Sequence, residues 1–283
     1  MIDFEPVRIT RPPQGVAPIP LVLDSPHSGQ RYPADFNFSC DKALLRMAED
    51  TDIDELYDFT PMLGATLVCA QFPRSYLDPN RRVEDMDTSL VDGHWPHAVD
   101  QSPKTQSGIG LIWRSLGDTS MIYSRKLSVL EVEQRIKHCH APYWAAVTHA
   151  IDLAHAQHGR VLHFNCHSMP AVAGPSSWVK RGTQFADVVL GDRDGSTCSP
   201  ALTALLAEAF RHEGLSVAIN DPYKGVELVK RFGRPADNRH SIQVEINRRL
   251  YMIEATRART ANYPVLKASL SRVMAKVADF ASL

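Results

Sequence analysis

The chain has 283 residues, 44% of them hydrophobic and 22% charged; that balance fits a packed globular protein and is too apolar for a disordered one. Lysines and arginines number 31 against 32 acids, for a formal net charge of -1, which excludes the basic footprint of a general nucleic-acid binder. No apolar run approaches the ~18 residues of a membrane span, and the start, MIDFEPVRITRPPQG, lacks the apolar stretch of a secretory signal, so a cytoplasmic location is expected.

The elements follow in chain order. Residues 18–24 (PIPLVLD) read as a short buried strand running into SPHSG. Residues 41–63 have a helical pattern interrupted around EDTD, and 65–72 (ATLVCAQF) read as a second strand. Residues 83–127 show weak periodicity; a stretch of that length in a compact domain is usually an active-site loop region. Residues 128–158 predict one long helix broken near Pro142, with Ser128 and Glu131 as a capping box. Residues 160–166 (RVLHFNC) predict a buried strand ending at His167-Ser168. Helices over 200–213, 224–232 and 263–282 and strands over 215–219 and 241–246 complete the pattern. Apolar strands alternating with helices predict a single α/β domain over residues 1–283, its mixed central sheet covered by helices on both faces.

Five cysteines, Cys40, Cys69, Cys139, Cys166 and Cys198, are scattered without a C-x-x-C pair. That argues against a disulfide framework or a Cys-rich zinc site and for reduced, buried thiols. The chain also lacks G-x-G-x-x-G, a Walker loop, G-x-S-x-G and H-E-x-x-H, so nucleotide binding, an elbow-type serine hydrolase and a zincin are unsupported.

Five segments could carry chemistry. His27, in Ser25-Pro26-His27-Ser28-Gly29, and His167, in Cys166-His167-Ser168-Met169-Pro170, each follow a buried strand. If the two strands are neighbours, both imidazoles face one point, and two imidazoles with a carboxylate make a metal site with an open position. The acid-rich run Glu49–Glu55 could supply the carboxylate through Asp50 or Asp52, although acids also favour a helix start for structural reasons. Arg74, Asn80, Arg81 and Arg82 follow the strand ATLVCAQF; they suit an anionic substrate, and equally an arginine-rich surface turn. In Gln243-Val244-Glu245-Ile246-Asn247, alternation puts Glu245 on a polar face of an otherwise apolar strand. A buried glutamate is costly unless paired or functional, so Glu245 is either a general base near an activated water or the partner of a nearby arginine.

Together, SPHSG, DTD-x-x-x-LY at 50–57, SYLDPNR at 75–81, NCHSMP at 165–170 and VEINRRLY at 244–251 resemble the N-formylglutamate amidohydrolase (deformylase) family over about residues 20 to 255. The resemblance implies a fold related to zinc carboxypeptidases and aspartoacylase-type amidohydrolases. It also implies one divalent metal, zinc by preference, held by His27, His167 and an acid of the DTD segment. Zinc carboxypeptidases carry that acid three residues after the first histidine. Here Gln30 stands there, so Asp50 is the first choice and Asp52 the second. By the same resemblance Asn80 and Arg81, with Arg74 beside them, hold the substrate carboxylates, and Glu245 is the general base. The implied reaction is cleavage of N-formyl-L-glutamate to formate and glutamate, the closing step of one histidine-degradation route. The substrate is a small N-formyl amino acid, with no nucleic-acid or membrane partner. The alternatives are a deacylase of another N-acyl amino acid and a non-catalytic dicarboxylate-binding protein on the same fold.

Overall fold

The computed structural model describes residues 2–116, 120–174 and 179–282. Residues 117–119 of the predicted loop region lie outside them. The chain packs as two compact units, each assembled from separate segments: Met1–Arg8, Pro26–Thr51 and Cys69–Ala146 in the first, and Ile9–Ser25, Asp52–Val68 and Val147–Leu283 in the second.

The main sheet has seven strands: β1 (Val7–Thr10), β2 (Leu21–Ser25), β3 (Thr66–Ala70), β4 (Val161–Met169), β5 (Val188–Gly191), β6 (Val217–Ile219) and β7 (Arg239–Asn247). Their spatial order is β1-β3-β2-β4-β7-β5-β6. β2 and β7 both run parallel to β4, β6 runs parallel to β5, and β5 is antiparallel to β7. The sheet is therefore mixed, as the alternation of elements predicts. Every residue of β2 and β4 is buried, the condition for strands that read as near-continuous apolar runs. Helix Glu227–Phe232 packs on β4 and β7, and helix Pro200–His212 packs on β5, β6 and the long helix Tyr263–Ala281. Two short strands, β1 and β5, escape the sequence reading, and β4 continues through His167 to Met169 instead of ending at Cys166.

The first unit is poor in regular structure. A buried arginine lies among its aromatic side chains. Arg135 is buried, donates to the Tyr76 carbonyl at 3.2 Å and the Tyr123 hydroxyl at 2.6 Å, and lies over the rings of Tyr76, Tyr123 and Phe36. Three aromatic faces and three acceptors, the third being the Phe36 carbonyl at 3.5 Å, replace the water that the guanidinium loses.

The predicted 128–158 helix begins with the expected capping box: Ser128 Oγ accepts from Glu131 N, and the Glu131 carboxylate accepts from Ser128 N. The expected break near Pro142 does not occur. Residues Ile136–His140 instead form a π-turn, in which Ala141 N reaches back to the Ile136 carbonyl, and helix Ala141–His158 continues from it. Proline lacks an N–H and crowds the carbonyl four residues earlier; one wider turn absorbs both without ending the helix. All five cysteines are free thiols.

Candidate active site

His27 lies in the first unit, two residues beyond the end of β2. Asp50 N donates to the His27 carbonyl at 3.0 Å, and Ser28 Oγ donates to the Asp50 carbonyl at 3.0 Å, so the histidine loop and the acidic loop are stitched together. Gly29 allows that loop to lie on the backbone of Gln71 and Phe72: a Cβ there would stand 2.2 Å from the Phe72 carbonyl oxygen. The buried His27 ring sits between two carboxylates. Nδ1 is 3.3 Å from Asp50 Oδ2, and Nε2 is 2.7 Å from Asp78 Oδ1.

Asp78 organises this region. Its carboxylate also accepts from Arg74 Nη2 at 3.0 Å, from the Asn80 backbone N–H at 2.9 Å and from Trp113 Nε1 at 3.4 Å, and Arg81 Nη2 is 3.8 Å away. Burial alone would raise its pKa. The charges of His27, Arg81 and Arg74 and the His27 hydrogen bond outweigh burial and hold Asp78 well below the usual carboxylate range.

The segment after Asp78 is pinned by its carbonyls. Trp144 Nε1 donates to the Pro79 carbonyl and His140 Nε2 to the Arg81 carbonyl, both at 2.8 Å, with the two rings stacked. Burial lowers the His140 pKa, which keeps the ring neutral near pH 7. His140 belongs to the π-turn, so the widened turn has a local use in fixing the Asn80-Arg81 backbone. Arg81 is buried, with Nη1 on the Asn80 carbonyl at 2.9 Å and Nε 3.9 Å from Asp85. Arg74 lies over Trp113 and donates to Asp78.

The second unit presents a polar row on an otherwise apolar sheet. Alternation brings His163, Asn165 and His167 to one face of β4. The register sets Ser241 beside His163, Gln243 beside Asn165 and Glu245 beside His167, with Asp24 of β2 on the other side of Asn165. All seven side chains are buried, so each must be matched by polar partners. Glu245 Oε1 accepts from Gln243 Nε2 at 2.7 Å, and Gln243 Oε1 accepts from Val226 N at 3.3 Å. His167 Nε2 contacts Asn165 Oδ1 at 2.7 Å. Arg248, three residues past Glu245, donates to Ser168 Oγ at 2.9 Å.

The structure therefore brings His27, Asp50, Arg74, Asn80 and Arg81 together around Asp78 in the first unit, and sets Glu245 beside His167 in the second. Asp52 is directed elsewhere: its carboxylate accepts from Arg259 Nε at 2.8 Å. Asp78, Asn165, Gln243, His140 and Trp144 were not assigned roles by sequence reasoning. Asp78 and Asn165 stand inside the quoted motifs, and the period-2 spacing of Asn165 from His167 was a usable signal.

His27 and Asp50 of the first unit and His167 of the second are buried side chains of the kinds that hold a metal ion. The donor set fits: two imidazoles and a carboxylate are ordinary zinc ligands, and each ring has its Nε2 on an acceptor oxygen, as ligating histidines usually do. A buried glutamate, Glu245, stands in register with one of these histidines. Side chains of these kinds, at and beyond the ends of buried strands, suit amide-bond hydrolysis, and the relatives agree.

Residues 19–252 match the family described as N-formylglutamate amidohydrolase. The N-formylglutamate deformylase of Pseudomonas aeruginosa is 27% identical over 245 residues, covering 83% of each chain. That of Pseudomonas putida is 28% identical over 244 residues, again covering 83% of each. The crystal structure of N-formylglutamate amidohydrolase from Ralstonia eutropha JMP134 superposes with a TM-score of 0.92, at 43% identity and 99% coverage of both chains. The chain is a hydrolase acting on an amide bond. It belongs to the N-formylglutamate amidohydrolase family. Among the described residues, no helix is long and apolar enough to cross a membrane.

Proposed function

We propose that this enzyme hydrolyses N-formyl-L-glutamate to formate and L-glutamate, with one divalent metal ion, zinc by preference, held by His27, Asp50 and His167. The observation that carries the reading is the register of Glu245 with His167 on adjacent buried strands, together with the names of the relatives. Asp50 is favoured over Asp52 because it faces His27, whereas Asp52 is paired with Arg259. A zinc ion at this site supplies polarisation of the formyl oxygen and lowers the pKa of a water to roughly 7.

The chain's own residues do the rest. Glu245, oriented by Gln243, accepts the proton of the attacking water and returns it to the leaving nitrogen. Arg81 and Asn80 hold the substrate α-carboxylate on a backbone fixed by His140 and Trp144. Arg74 acts through Asp78, to which its guanidinium is committed. The reading assigns the enzyme to the last step of a cytoplasmic histidine-degradation route, acting as one amidohydrolase domain whose region 83–127 borders the substrate.

Formate and acetate release from a panel of N-formyl and N-acetyl amino acids tests the substrate. N-formylglutamate is expected to have the highest kcat/KM, and faster acetate release would make the enzyme a different deacylase. Glu245→Gln is expected to keep zinc and substrate binding while kcat falls by at least the ~10²-fold typical of general-base loss. A parallel fall in zinc content would make Glu245 a ligand or a structural residue. Binding of N-formylglutamate without turnover by the zinc-loaded wild type would convert the reading to a dicarboxylate-binding protein.

A further inference from the structure

Behind His167 stands a buried chain of polar groups that extends well beyond what a ligand histidine needs for burial alone. Asp24, His163, Asn165, His167 and Ser241 are each at most 3% exposed. Asn165 Nδ2 is 2.9 Å from Asp24 Oδ1 and 3.1 Å from Oδ2. His163 Nε2 is 2.8 Å from the same Oδ1, and His163 Nδ1 is 2.7 Å from Ser241 Oγ. At the other end, Asn165 Oδ1 is 2.7 Å from His167 Nε2.

With Asp24 ionised, the donor and acceptor roles in this chain follow from one point. An ionised carboxylate only accepts hydrogen bonds. Asp24 therefore requires the NH2 end of the Asn165 amide to face it, because the reverse orientation would set a carbonyl oxygen against a carboxylate oxygen. The same requirement puts a proton on His163 Nε2, so in the neutral ring His163 Nδ1 accepts from the Ser241 hydroxyl. With its amide so turned, Asn165 can present only Oδ1 to His167. That oxygen accepts, so His167 must carry its proton on Nε2, and the lone pair falls on Nδ1. An amide in isolation could serve either tautomer, and here the carboxylate one strand away decides.

We propose that Asp24, acting through the Asn165 amide, selects the tautomer of His167 and thereby makes Nδ1 its ligand atom, so that Asn165 is a positioning residue of the site. The consequence for metal rests on reading His167 as a ligand; the tautomer itself is a property of the metal-free protein. The device places a neutral amide, not a carboxylate, on His167 Nε2. It fixes a proton position by relaying the directionality of a buried charge through a neutral group.

The test uses the full chain, stripped of metal with chelator and labelled with 15N in its histidine rings. Long-range proton–nitrogen correlation spectra, with His167→Gln identifying the His167 signals, are expected to show the His167 proton on Nε2 alone, in slow exchange with water. Asn165→Leu removes the acceptor. It is expected to bring that proton into fast exchange and to weaken zinc binding in a chelator competition titration by about 10–100-fold, the usual cost of losing an outer partner. Asp24→Asn keeps the shape but allows the Asn165 amide to turn, and a mixture of His167 tautomers with an intermediate zinc affinity is expected. It also serves if Asn165→Leu fails to fold. A proton on Nδ1 in the wild type overturns the proposal, as does a single, slowly exchanging Nε2 tautomer in either variant. If zinc affinity is unchanged by His167→Gln, the ligand reading falls instead, and the tautomer spectra still decide the role of Asn165.

Discussion

His27 and His167 each have Nε2 on an acceptor oxygen, but His27 meets the carboxylate of Asp78 directly, whereas His167 meets the amide of Asn165 with Asp24 one step behind. The settings match the difference. His27 stands on a loop of an irregular unit, beside a carboxylate compensated by Arg74 and Arg81. His167 stands inside a strand, in a buried polar row spanning three strands, with the neutral amide of Asn165 on its Nε2. A direct carboxylate needs cations nearby to be tolerated in the interior. A relayed carboxylate fixes proton position and leaves a neutral amide on the histidine Nε2. The comparison suggests that the number of arginines around a buried histidine–carboxylate pair reflects the cost of that carboxylate and is not only a provision for substrate.

Asp78→Asn is the sharpest test, because it gives His27 an amide partner like that of His167. The Asn oxygen can still accept from His27 Nε2, but Arg74 and Arg81 lose their shared anion. Breaking a buried ion pair from one side costs about 3–5 kcal/mol, and a chain of this size loses roughly 2–4 °C in Tm per kcal/mol. A fall in Tm of at least ~6 °C is therefore expected in thermal unfolding, with zinc affinity reduced about 10–100-fold. A variant with wild-type Tm would show that the carboxylate and its arginines are not coupled.

Arg81→Lys separates substrate binding from that support. An ammonium can still face Asp78 but cannot reproduce the planar fork. A charge-assisted hydrogen bond is worth ~1.5–3 kcal/mol, so kcat/KM for N-formylglutamate should fall roughly tenfold to a hundredfold, mainly through KM. An analogue with its α-carboxylate amidated should be a poor substrate for the wild type and nearly indifferent to the change. Equal wild-type rates on the acid and the amide would leave Arg81 as a support for Asp78 alone.

Gly29→Ala probes the loop setting of His27, which has no counterpart at His167. The added methyl would stand 2.2 Å from a backbone oxygen, so the loop must move and carry His27 with it. Overpacking of this kind costs about 1–3 kcal/mol. Chemical denaturation should show that loss, and zinc titration should show weaker binding even though no ligand has been replaced.

These contrasts also explain what the sequence could show. The apolar runs at 18–24, 65–72, 160–166 and 241–246 were legible as strands because both faces of the central strands are covered. The four residues of β5, Val188–Gly191, were too short to stand out between loops. β4 seemed to end at Cys166 because its apolar run stops there. The polar residues His167 and Ser168 continue the strand only because Glu245 and Ile246 of β7 pair with them, a non-local fact. His27, His167 and Glu245 stood out as polar residues at the ends of apolar runs. Asp78 did not, because SYLDPNR contains three charged or amide side chains and only the tertiary contact with His27, 51 positions away, distinguishes one of them. The acids at 49–55 read as a helix start, and helix Ile53–Leu56 does begin there with Asp54 and Glu55 in its first turn, but Glu49 accepts from Tyr32 and Arg46 and Asp52 makes no capping bond.

A surface carboxylate gives the scale against which the buried ones are judged. Glu131 forms a two-pronged pair with Arg125, at 2.5 and 2.9 Å, and closes the capping box on Ser128 N at 2.8 Å. The Arg125 hydrogen bonds, more than offsetting partial burial, lower its pKa from 4.5 to about 2. A carboxylate whose folded pKa is depressed stabilises the fold above its unfolded pKa, and that contribution is lost as pH falls towards the folded value. The benefit of Glu131 should therefore be complete above pH 4.5 and gone near pH 2. Because the pair is largely open to solvent, screening reduces its worth to ~1 kcal/mol or less, against the several expected for Asp78. Glu131→Gln can still close the capping box through its amide oxygen but loses the ion pair. Denaturation of wild type and variant in parallel should give a gap of ~0.5–1 kcal/mol at neutral pH, shrinking as the pH drops below 4.5 and narrowing further in high salt. A gap that stays constant through this range would assign the effect to the shape of the capping box and not to charge. A gap as large as that of Asp78→Asn would remove burial as the reason the Asp78 carboxylate matters more.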